Sequence, residues 1–395
     1  MTLRVLTFLH SFEPGGVERV ALRLVRRWRE MGVSAPLFLG RGSGAMANDV
    51  GRDLAVDIPA QPVIPTSWWE TIWLIATLPR AIRREQPDIL FCAGNTYGIV
   101  AFAMKLLLGR HCPPILAKVS NDLDRRDQPR LMRTFYRYWL RVLGRTFDYV
   151  IGMAEPARAE IRERMGVPDS RISIIPDPAL SLQMIDTVRS AQSVRSPCRE
   201  GRRFVAVGRL VPQKNLALML RAFRRGAAAN DHLTLIGDGP ERQCLEKLVR
   251  RLDLADQVTF YGYAASPVEL LADFDVLLLS SHFEGVPAAI LEALAASLSV
   301  IATDCSRCMS ELLGHGAFGK LVAVGDEQAF AQAVSNAQPG MACAALSRSQ
   351  AQRFTIEYSA NLYLEAFARA SLASRRATRA IGGLMVTEPI AASAD

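Results

Sequence analysis

The chain has 395 residues, of which 50% are hydrophobic and 22% are charged, so it holds ample material for globular cores. Its formal net charge is +8 and most of its 47 basic residues are arginine, which favours an anionic partner such as phosphate or an acidic lipid surface. No apolar run reaches the ~20 residues that a membrane span requires. Seven scattered cysteines exclude a disulfide framework, and the lone pair Cys305 and Cys308 lacks the second pair that a zinc site needs.

Short β-branched runs alternate with amphipathic helices from the N-terminus onward. The first run, "RVLTFL", is predicted to be a buried strand rather than a signal peptide, because no small-residue cleavage site follows it. Further strands are predicted at "DILFCA", "ILAKVS", "YVIGM" and "ISIIP". Residues 1–178 are therefore predicted to form a parallel sheet with helices on both faces.

The polar segment 179–201 has little strand signal and is predicted to be a linker. Strand-helix alternation restarts over 202–350 with "RFVAVG", "LTLIGD", "VTFYG", "DVLLLSS" and "SVIATD". Because one core rarely grows past about 250 residues, we expect an α/β protein of two Rossmann-like domains facing a cleft. A helix over 356–370 is predicted to cross back onto the first domain, and the tail 371–395 to be loose.

Three turns that follow strands are candidate phosphate sites, although no dinucleotide fingerprint or P-loop is present. In "HSFEPGGVERV", Gly15 and Gly16 open a helix and let a ligand approach the backbone. In "VAVGRLVPQKN", Gly208 ends a strand and is followed by Arg209 and Lys214, two cations that suit a pyrophosphate. Each turn taken alone is equally consistent with ordinary surface structure.

Glu284 and Glu292 belong to the third turn, "FEGVPAAILEAL". Pro287 suits the first turn of a helix, and the N–H groups of Ala288 and Ala289 would then point outward as an anion site. Glu292 would lie roughly 12 Å further along than Glu284, too far for an acid/base pair acting on one bond. The two carboxylates are instead predicted to bind different parts of one elongated ligand, each accepting two hydroxyl hydrogens.

Together these segments resemble the retaining, nucleotide-sugar-dependent glycosyltransferases of family 4, which have the GT-B fold. "FEGVPAAILEAL" is similar to their E-x7-E motif, "VGRLVPQKN" to the G-R-x-x-x-x-K element that holds the donor pyrophosphate, and "HSFEPGGVERVALRL" to their N-terminal glycine loop. "LIGDGPERQCLEKL" and "VTFYGYAASPVELLADFDVLLLSS" follow in the expected order. The resemblance extends from Leu3 to about Ala370.

The resemblance implies a role for each matching residue. Arg209 and Lys214 would neutralise the donor phosphates, Glu284 would contact the transferred sugar, and Glu292 would bind the ribose hydroxyls. The leaving nucleoside diphosphate would thus meet cations already in place, and neither a metal nor another cofactor is implied. The catalytic residues would be Glu284, Arg209 and Lys214, and the donor site would comprise Gly15, Gly16, Gly208, Arg209, Lys214, Tyr263, Glu284, Gly285, Ala288, Ala289 and Glu292.

The sequence departs from the family pattern in three places. Ser297 and Ser299 stand where many members have a Gly-x-Pro step, and "CSRCMSE" replaces a glycine pair, where a Ser side chain can crowd a donor phosphate. Many members also carry a His after the strand that here reads "ILAKVS". The candidates for steering the acceptor are therefore Asp122 and His10 as catalytic groups and Asn121 as an acceptor-side contact.

Two segments of the N-terminal half combine basic and aromatic residues, "TSWWETIWLIATLPRAIRR" and "RRDQPRLMRTFYRYWLRVLGRTFD". Basic, aromatic amphipathic helices suit anionic bilayer surfaces. The alternative is a helix with one face in the core and a solvated arginine face. The residues predicted to meet a membrane surface are Trp68, Trp69, Arg126, Arg130, Arg133, Arg137 and Arg141.

The sequence thus predicts a cytoplasmic enzyme, peripheral on the inner face of the cell membrane, that transfers a sugar with retention in surface polysaccharide or glycan biosynthesis. Its expected partners are a nucleotide-sugar donor, a lipid-linked saccharide acceptor and an anionic membrane, and not nucleic acid, because no nucleic-acid-binding module is visible. Three alternatives stay open: transfer to a soluble metabolite or glycan, a relative that binds nucleotide-sugar without turnover, and a GT-B epimerase.

Overall fold

The structure is a computed structural model that describes residues 3–13, 15–48, 51–120, 123, 129–193, 200–264, 266–339 and 344–384. Within them the chain forms two parallel six-stranded sheets, each with its own hydrophobic core. This confirms the predicted α/β architecture of two Rossmann-like domains. The candidate residues Asn121, Asp122 and Arg126 lie outside the described residues.

The N-terminal sheet has the strand order β2-β1-β3-β4-β5-β6. Its strands are apolar along their length because both faces of the sheet are covered. The strands are β1 (Val5–Leu9), β2 (Leu37–Leu39), β3 (Ile89–Cys92), β4 (Ile115–Lys118), β5 (Tyr149–Gly152) and β6 (Ile172–Ile174), and the helices are α1 (Gly16–Glu30), α2 (Glu70–Glu85), α3 (Gly98–Leu108), α4 (Arg130–Thr146) and α5 (Glu155–Glu160).

The C-terminal sheet has the order β12-β11-β10-β7-β8-β9. Its strands are β7 (Arg203–Val207), β8 (His232–Ile236), β9 (Val258–Gly262), β10 (Val276–Leu279), β11 (Ser299–Thr303) and β12 (Gly319–Val322). The remaining helices are α6 (Leu182–Ser193), α7 (Leu216–Gly226), α8 (Arg242–Arg251), α9 (Pro267–Leu270), α10 (Ala288–Ala295), α11 (Met309–Leu312), α12 (Glu327–Ser335), α13 (Ala344–Gln352) and α14 (Ile356–Leu384).

Helix α14 returns to the N-terminal domain, as predicted for 356–370, and it continues to Leu384. Its residues Tyr363 and Phe367 are fully buried against Trp28 and Phe91. The ring centroids in this aromatic cluster lie 5.0 to 6.1 Å apart, mostly edge to face. The last helix therefore completes the core of the first domain.

The prediction of a linker over 179–201 is corrected by α6, which occupies more than half of that segment. Its residues Ile185 and Val188 are buried in the core of the C-terminal domain, where α6 packs against α9, α10 and α13. The apolar positions of this helix are outnumbered by polar ones, so the segment looks like a linker in composition. The polypeptide thus enters the second domain at about residue 180.

The chain crosses between the domains twice, and the two crossings lie side by side. Leu180 N–H donates to Phe354 O at 3.1 Å, and Ile356 N–H donates to Leu180 O at 2.8 Å. The hydroxyl of Ser359 donates to Pro176 O at 2.8 Å. The connection between the domains is therefore a pair of hydrogen-bonded segments.

Candidate functional site

The C-terminal sheet reverses its strand order between β7 and β10, which are hydrogen-bonded neighbours. The chain leaves these two strands in opposite directions across the sheet, so their carboxyl ends border an open crevice. Gly208 follows β7 and Glu284 follows β10. Two of the predicted donor turns therefore meet at the crevice, where α/β sheets bind ligands.

Lys214 and Glu284 form an ion pair in this crevice. The Nζ atom of Lys214 lies 2.5 Å from Oε1 of Glu284, and their side chains are 20% and 12% exposed. The hydroxyl of Ser281 donates to the same carboxylate oxygen at 2.7 Å. The cation predicted to bind phosphate and the carboxylate predicted to bind sugar are thus paired with each other.

Arg209 lines a small cavity together with Lys214 and Ser281. It is exposed, and its guanidinium makes no hydrogen bond or ion pair with a described residue. A free, exposed guanidinium next to a partly enclosed ammonium gives the crevice two cations that can face an anionic ligand.

Gly208 lies against the side chain of Lys214 and against the backbone of Gly237. Its φ of 150° is strained for other residues, and a Cβ atom there would lie 3.1 Å from Cε of Lys214. Gly237, with φ 146°, approaches so closely that its own Cβ would lie 1.9 Å from Gly208 O. The two glycines let the ends of β7 and β8 approach each other and keep Lys214 close to the backbone.

Helix α10 begins at Ala288, one residue later than predicted, with Pro287 at its N-cap. The first intrahelical turn closes with Ile290 N–H donating to Pro287 O at 3.0 Å. The N–H groups of Ala288 and Ala289 come before this first donor and have no acceptor within the helix. Such a helix start favours negative charge. The helix start is therefore positioned as predicted for an anion site.

Glu292 lies inside α10 with only 6% of its surface exposed. Burial raises the pKa of its carboxyl from 4.5 to about 7, and the positive charges of Arg23 and Arg19 oppose that rise. Both arginines lie on α1, in the other domain. The carboxylate predicted to bind ribose is thus buried in one domain and within electrostatic range of two cations of the other.

Gly15 caps α1 and Gly16 is its first residue. The carboxylate of Glu18 folds back over Gly15, so that a Cβ atom there would lie 2.0 Å from Oε2 of Glu18. The hydroxyl of Tyr97 donates to the other oxygen of Glu18 at 2.7 Å. The carboxylate of Glu18 therefore lies at the start of α1, whereas the space beside Gly16 is empty of protein atoms within 4 Å.

His10 follows β1 at the switch point of the N-terminal sheet, between β1 and β3. Its ring stacks on Tyr97 with centroids 4.7 Å apart, and its Nε2 atom lies 3.3 Å from the hydroxyl of Thr71. Burial lowers the pKa of His10 from 6.5 to about 4. The ring is therefore neutral near pH 7, with one nitrogen that can donate a hydrogen bond and one that can accept.

The departures from the family pattern lie in two different regions. Ser297 and Ser299 are at the start of β11, where their hydroxyls donate to Ala344 O and Gln338 O, so they face away from the crevice at the carboxyl ends of the strands. The loop after β11 does reach the crevice: Cys308 donates a thiol hydrogen bond to Gly285 O at 3.2 Å.

Tyr263, predicted to belong to the donor site, lies just past the end of β9 and is 57% exposed.

The residues predicted to meet a membrane differ in their surroundings. Trp68 is 82% exposed, whereas Trp69 is half-buried, donates to Pro65 O and stacks on Trp73. Arg137 is exposed and Arg133 half-buried, and the Arg130 side chain lies outside the described set. Arg141 donates to the backbone oxygens of Arg164 and Glu163.

Among the helices that the structure describes, none has the length and apolar character to span a bilayer.

Sequence reasoning missed the contributions of Arg19, Arg23 and Ser281. Arg19 and Arg23 are four residues apart on α1, a signal that predicts only a charged helix face. Their proximity to Glu292 depends on how the two domains face each other. Ser281 lies three residues before Glu284, and this spacing was the available signal that a turn could bring its hydroxyl to the carboxylate.

Two family models match the chain. The model "Glycosyltransferase Family 4" matches residues 14–178, and the model "Glycosyl transferases group 1" matches residues 201–338. Together the matched segments make up more than half of the chain; the first includes β2 to β6 and the second β7 to β12.

Curated relatives share parts of this sequence. An N-acetylgalactosaminyltransferase of Campylobacter jejuni, named for a diphospho-undecaprenol acceptor, is 34% identical over 32% of this chain and 35% of its own length. The lipopolysaccharide 1,6-galactosyltransferase of Escherichia coli is 29% identical over 65% of this chain and 67% of its own. An uncharacterized glycosyltransferase of Methanocaldococcus jannaschii is 31% identical over 33% of each protein. The match thus spans about a third of the length of two of these three relatives.

Solved structures share the fold over most of its length. The lipopolysaccharide outer core galactosyltransferase WaaB superposes with a TM-score of 0.70 and 18% identity, covering 93% of this chain and 99% of that one. Anabaena HepE, solved in complex with UDP-glucose, superposes with a TM-score of 0.71 and 19% identity over the same shares. Given the two matching models and this shared two-sheet architecture, the chain belongs to the glycosyltransferases of GT-B fold.

Proposed function

We propose that this protein transfers a sugar from a nucleoside-diphosphate sugar to a lipid-linked saccharide, with retention, in surface polysaccharide biosynthesis. The observation that carries the proposal is the crevice at the ends of β7 and β10, where Lys214 is paired with Glu284 beside the unpaired Arg209. HepE, a structural neighbour, was solved with UDP-glucose, which supports a nucleotide-sugar donor. The names of the relatives from Campylobacter jejuni and Escherichia coli support a surface-glycan acceptor.

In this proposal the chain acts mainly on the leaving group. As the bond between sugar and diphosphate breaks, negative charge grows on the diphosphate, and Arg209, Lys214 and the start of α10 stabilise it. Glu292 binds the ribose hydroxyls and so fixes the nucleotide end of the donor. Glu284, released from Lys214 when phosphate binds the ammonium, contacts the transferred sugar.

The donor is tested by calorimetric titration of the full chain with a panel of UDP-, GDP- and dTDP-sugars, followed by product analysis with each donor that binds. We expect Glu292→Ala to weaken donor binding about tenfold or more, because it removes a partner of the ribose hydroxyls. Glu284→Gln should leave donor affinity within a few-fold and slow turnover, since the amide keeps the shape but loses the charge. Unchanged donor affinity in Glu292→Ala would refute the ribose assignment.

The same titrations separate the alternatives. Binding without release of nucleoside diphosphate in the presence of lipid-linked saccharides supports a non-catalytic relative. Transfer to a free glycan at the same rate as to a lipid-linked one supports a soluble acceptor. Isomerised sugar with no acceptor present supports an epimerase.

We further propose that the outer faces of α2, α3 and α4 meet the membrane. These helices pack side by side on the N-terminal sheet. Large apolar side chains on them point to solvent with 49 to 73% of their surface exposed: Ile72, Ile99, Leu106, Leu107, Leu131, Met132, Phe135 and Tyr138. Exposed arginines, such as Arg137 on α4, adjoin them and suit anionic headgroups.

The membrane proposal is tested by flotation with vesicles of phosphatidylglycerol and phosphatidylcholine. We expect Leu131→Ser, on α4, to lower the floated fraction several-fold, since each large apolar side chain contributes to insertion. Leu346→Ser on α13 is the matched control, because Leu346 is exposed to a similar degree on the other domain. Wild-type protein that stays entirely in the soluble fraction would contradict the proposal.

A further inference from the structure

A cavity of about 170 Å³ lies between α4 and the N-terminal sheet. The inner face of α4 contributes Trp139, Leu140 and Leu143 to its wall, and Phe147 and Met165 line its far end. Leu140 and Leu143 are almost fully buried, whereas Trp139 keeps part of its surface accessible. The interior is therefore bounded mainly by hydrocarbon and aromatic surface.

The opposite end of the cavity is polar and lies at the carboxyl ends of β3 and β4. Asn95, Thr96 and Lys118 line it. Lys118 is buried and its Nζ atom is paired with Asp177, so this end offers hydrogen-bonding groups without net charge. Oδ1 of Asn95 accepts from Ser120 N–H at 3.1 Å, and its amide nitrogen has no partner among the described residues.

The cavity adjoins the cleft between the domains. Val119, the residue after β4, lines the cavity and also a smaller space bounded by Gly285, Val286 and Cys308 of the C-terminal domain. Gly285 adjoins Glu284 in sequence. A molecule held in the cavity by one end would therefore have its other end beside the residues of the donor site.

We propose that this cavity binds the hydrocarbon chain of the acceptor where the chain joins its polar head. The inference rests on the proposed function and adds a site for the lipid part of the substrate. Apolar cavities of about 150 Å³ stay dry and take up hydrocarbon molecules, and each methylene removed from water strengthens binding roughly fourfold. A saccharide would leave its hydroxyls without partners against the apolar end.

The outer face of α4 supports the same occupant. Leu131, Phe135 and Tyr138 on that face are 69 to 73% exposed. A hydrocarbon chain that leaves the cavity therefore meets further apolar surface on the same helix. The site takes a hydrocarbon chain that carries a polar head, and farnesyl phosphate and dodecyl phosphate serve as isoprenoid and straight-chain probes of that chemistry.

The test titrates the full chain with farnesyl phosphate, dodecyl phosphate and inorganic phosphate below the concentrations at which micelles form. Leu140→Phe fills the cavity, and Leu140→Met is the control that nearly conserves its volume. We expect both amphiphiles to bind the wild type at least tenfold more tightly than inorganic phosphate. Leu140→Phe should lose at least tenfold of that affinity, and Leu140→Met should stay within twofold. A preference between farnesyl and dodecyl phosphate identifies the type of chain.

Met165→Phe fills the far end of the cavity and serves as the second filling variant if Leu140→Phe does not fold. Equal affinity for the amphiphiles in the wild type and in a folded filling variant would overturn the proposal. Tighter binding of maltose, a saccharide without a chain, that is lost in the filling variants would also overturn it, in favour of a sugar site.

Donor titration of the same variants distinguishes failure of this inference from failure of the proposed function. UDP-sugar binding involves the other domain and should be unchanged in Leu140→Phe. Sugar transfer to lipid-linked acceptors with an unaltered KM in that variant contradicts the cavity site alone. Amphiphile binding that depends on the cavity, in a protein that transfers no sugar, contradicts the proposed function alone.

Discussion

Glu292 is held in α10 with its carboxyl enclosed, and Arg19 and Arg23 offset only part of the cost of its charge. Its pKa is about 7 in the folded protein and near 4.5 when exposed. A raised pKa means that folding favours the protonated acid. The stability that this proton contributes is complete below pH 4.5 and is lost as the pH rises through 7.

We therefore expect the ligand-free protein to lose stability between pH 5 and pH 8 relative to Glu292→Gln, which cannot ionise. The full difference amounts to roughly 3 kcal/mol for a shift of this size, and about 2 kcal/mol of it develops between pH 5.5 and pH 8.0, because the unfolded carboxyl is already ionised at pH 5.5. Urea denaturation of both proteins at pH 5.5, 6.5 and 8.0, followed by tryptophan fluorescence, measures it. Parallel pH profiles of the two proteins would show that Glu292 is already ionised at pH 5.5.

The sequence predicts most of the candidate site at this scale because the motif residues lie at strand ends and at a helix start. Gly208, Arg209, Lys214 and Glu284 come together because β7 and β10 are neighbours. The environment of Glu292 could not be predicted, since Arg19 and Arg23 are more than 260 residues away and reach it only across the cleft. An electrostatic interaction that depends on the relative placement of two domains leaves no local pattern in the sequence.

At the scale of elements, each strand predicted from a run of mainly apolar residues is present in the structure. Of the described strands, β2 and β12 escaped prediction, and each lies at one edge of its sheet. Edge strands pair on one side only, so they can be short or polar: β2 has three residues, and β12 includes Gly319 and Lys320. Helix α6 escaped because its polar residues outnumber Ile185, Val188 and their apolar neighbours.

The packing of α6 predicts how substitutions in it affect stability. Val188 is fully buried, so we expect Val188→Ala to lower the free energy of unfolding by about 2 kcal/mol. Thr187→Ala, at the adjacent exposed position, should change it by less than about 0.5 kcal/mol. Chemical denaturation of the two variants measures both values. Equal, small effects would mean that this segment behaves in solution as the linker that its composition suggests.

At the scale of the molecule, the N-terminal domain is built from two distant parts of the chain. Trp28 and Phe91 pack against Tyr363 and Phe367, and the indole N–H of Trp28 donates to Ala360 O at 3.3 Å. The order of strands and helices predicts two sheets, and the aromatic residues of the last helix indicate that it packs on a core. Which core it completes follows from the paired crossings near Leu180 and Ile356.

This arrangement predicts the behaviour of fragments. A fragment of residues 1–178 should bind a hydrophobic dye and unfold without cooperativity, because it leaves Trp28 and Phe91 uncovered. The same fragment joined by a flexible glycine-serine linker to residues 356–384 should unfold cooperatively. Dye fluorescence and urea denaturation compare the fragment with the linked protein. A cooperative, dye-free fragment 1–178 would show that the last helix is dispensable for this domain.

The return of α14 also sets an order of events during synthesis. The ribosome makes the strands of the N-terminal domain first, yet Tyr363 and Phe367 emerge only after the entire C-terminal domain. At 5–20 residues per second, the interval between Pro178 and Phe367 lasts roughly ten to forty seconds. Throughout that time the nascent chain presents the aromatic surface around Trp28 and Phe91 to the cell. The domain that is synthesised first is therefore the last to finish folding.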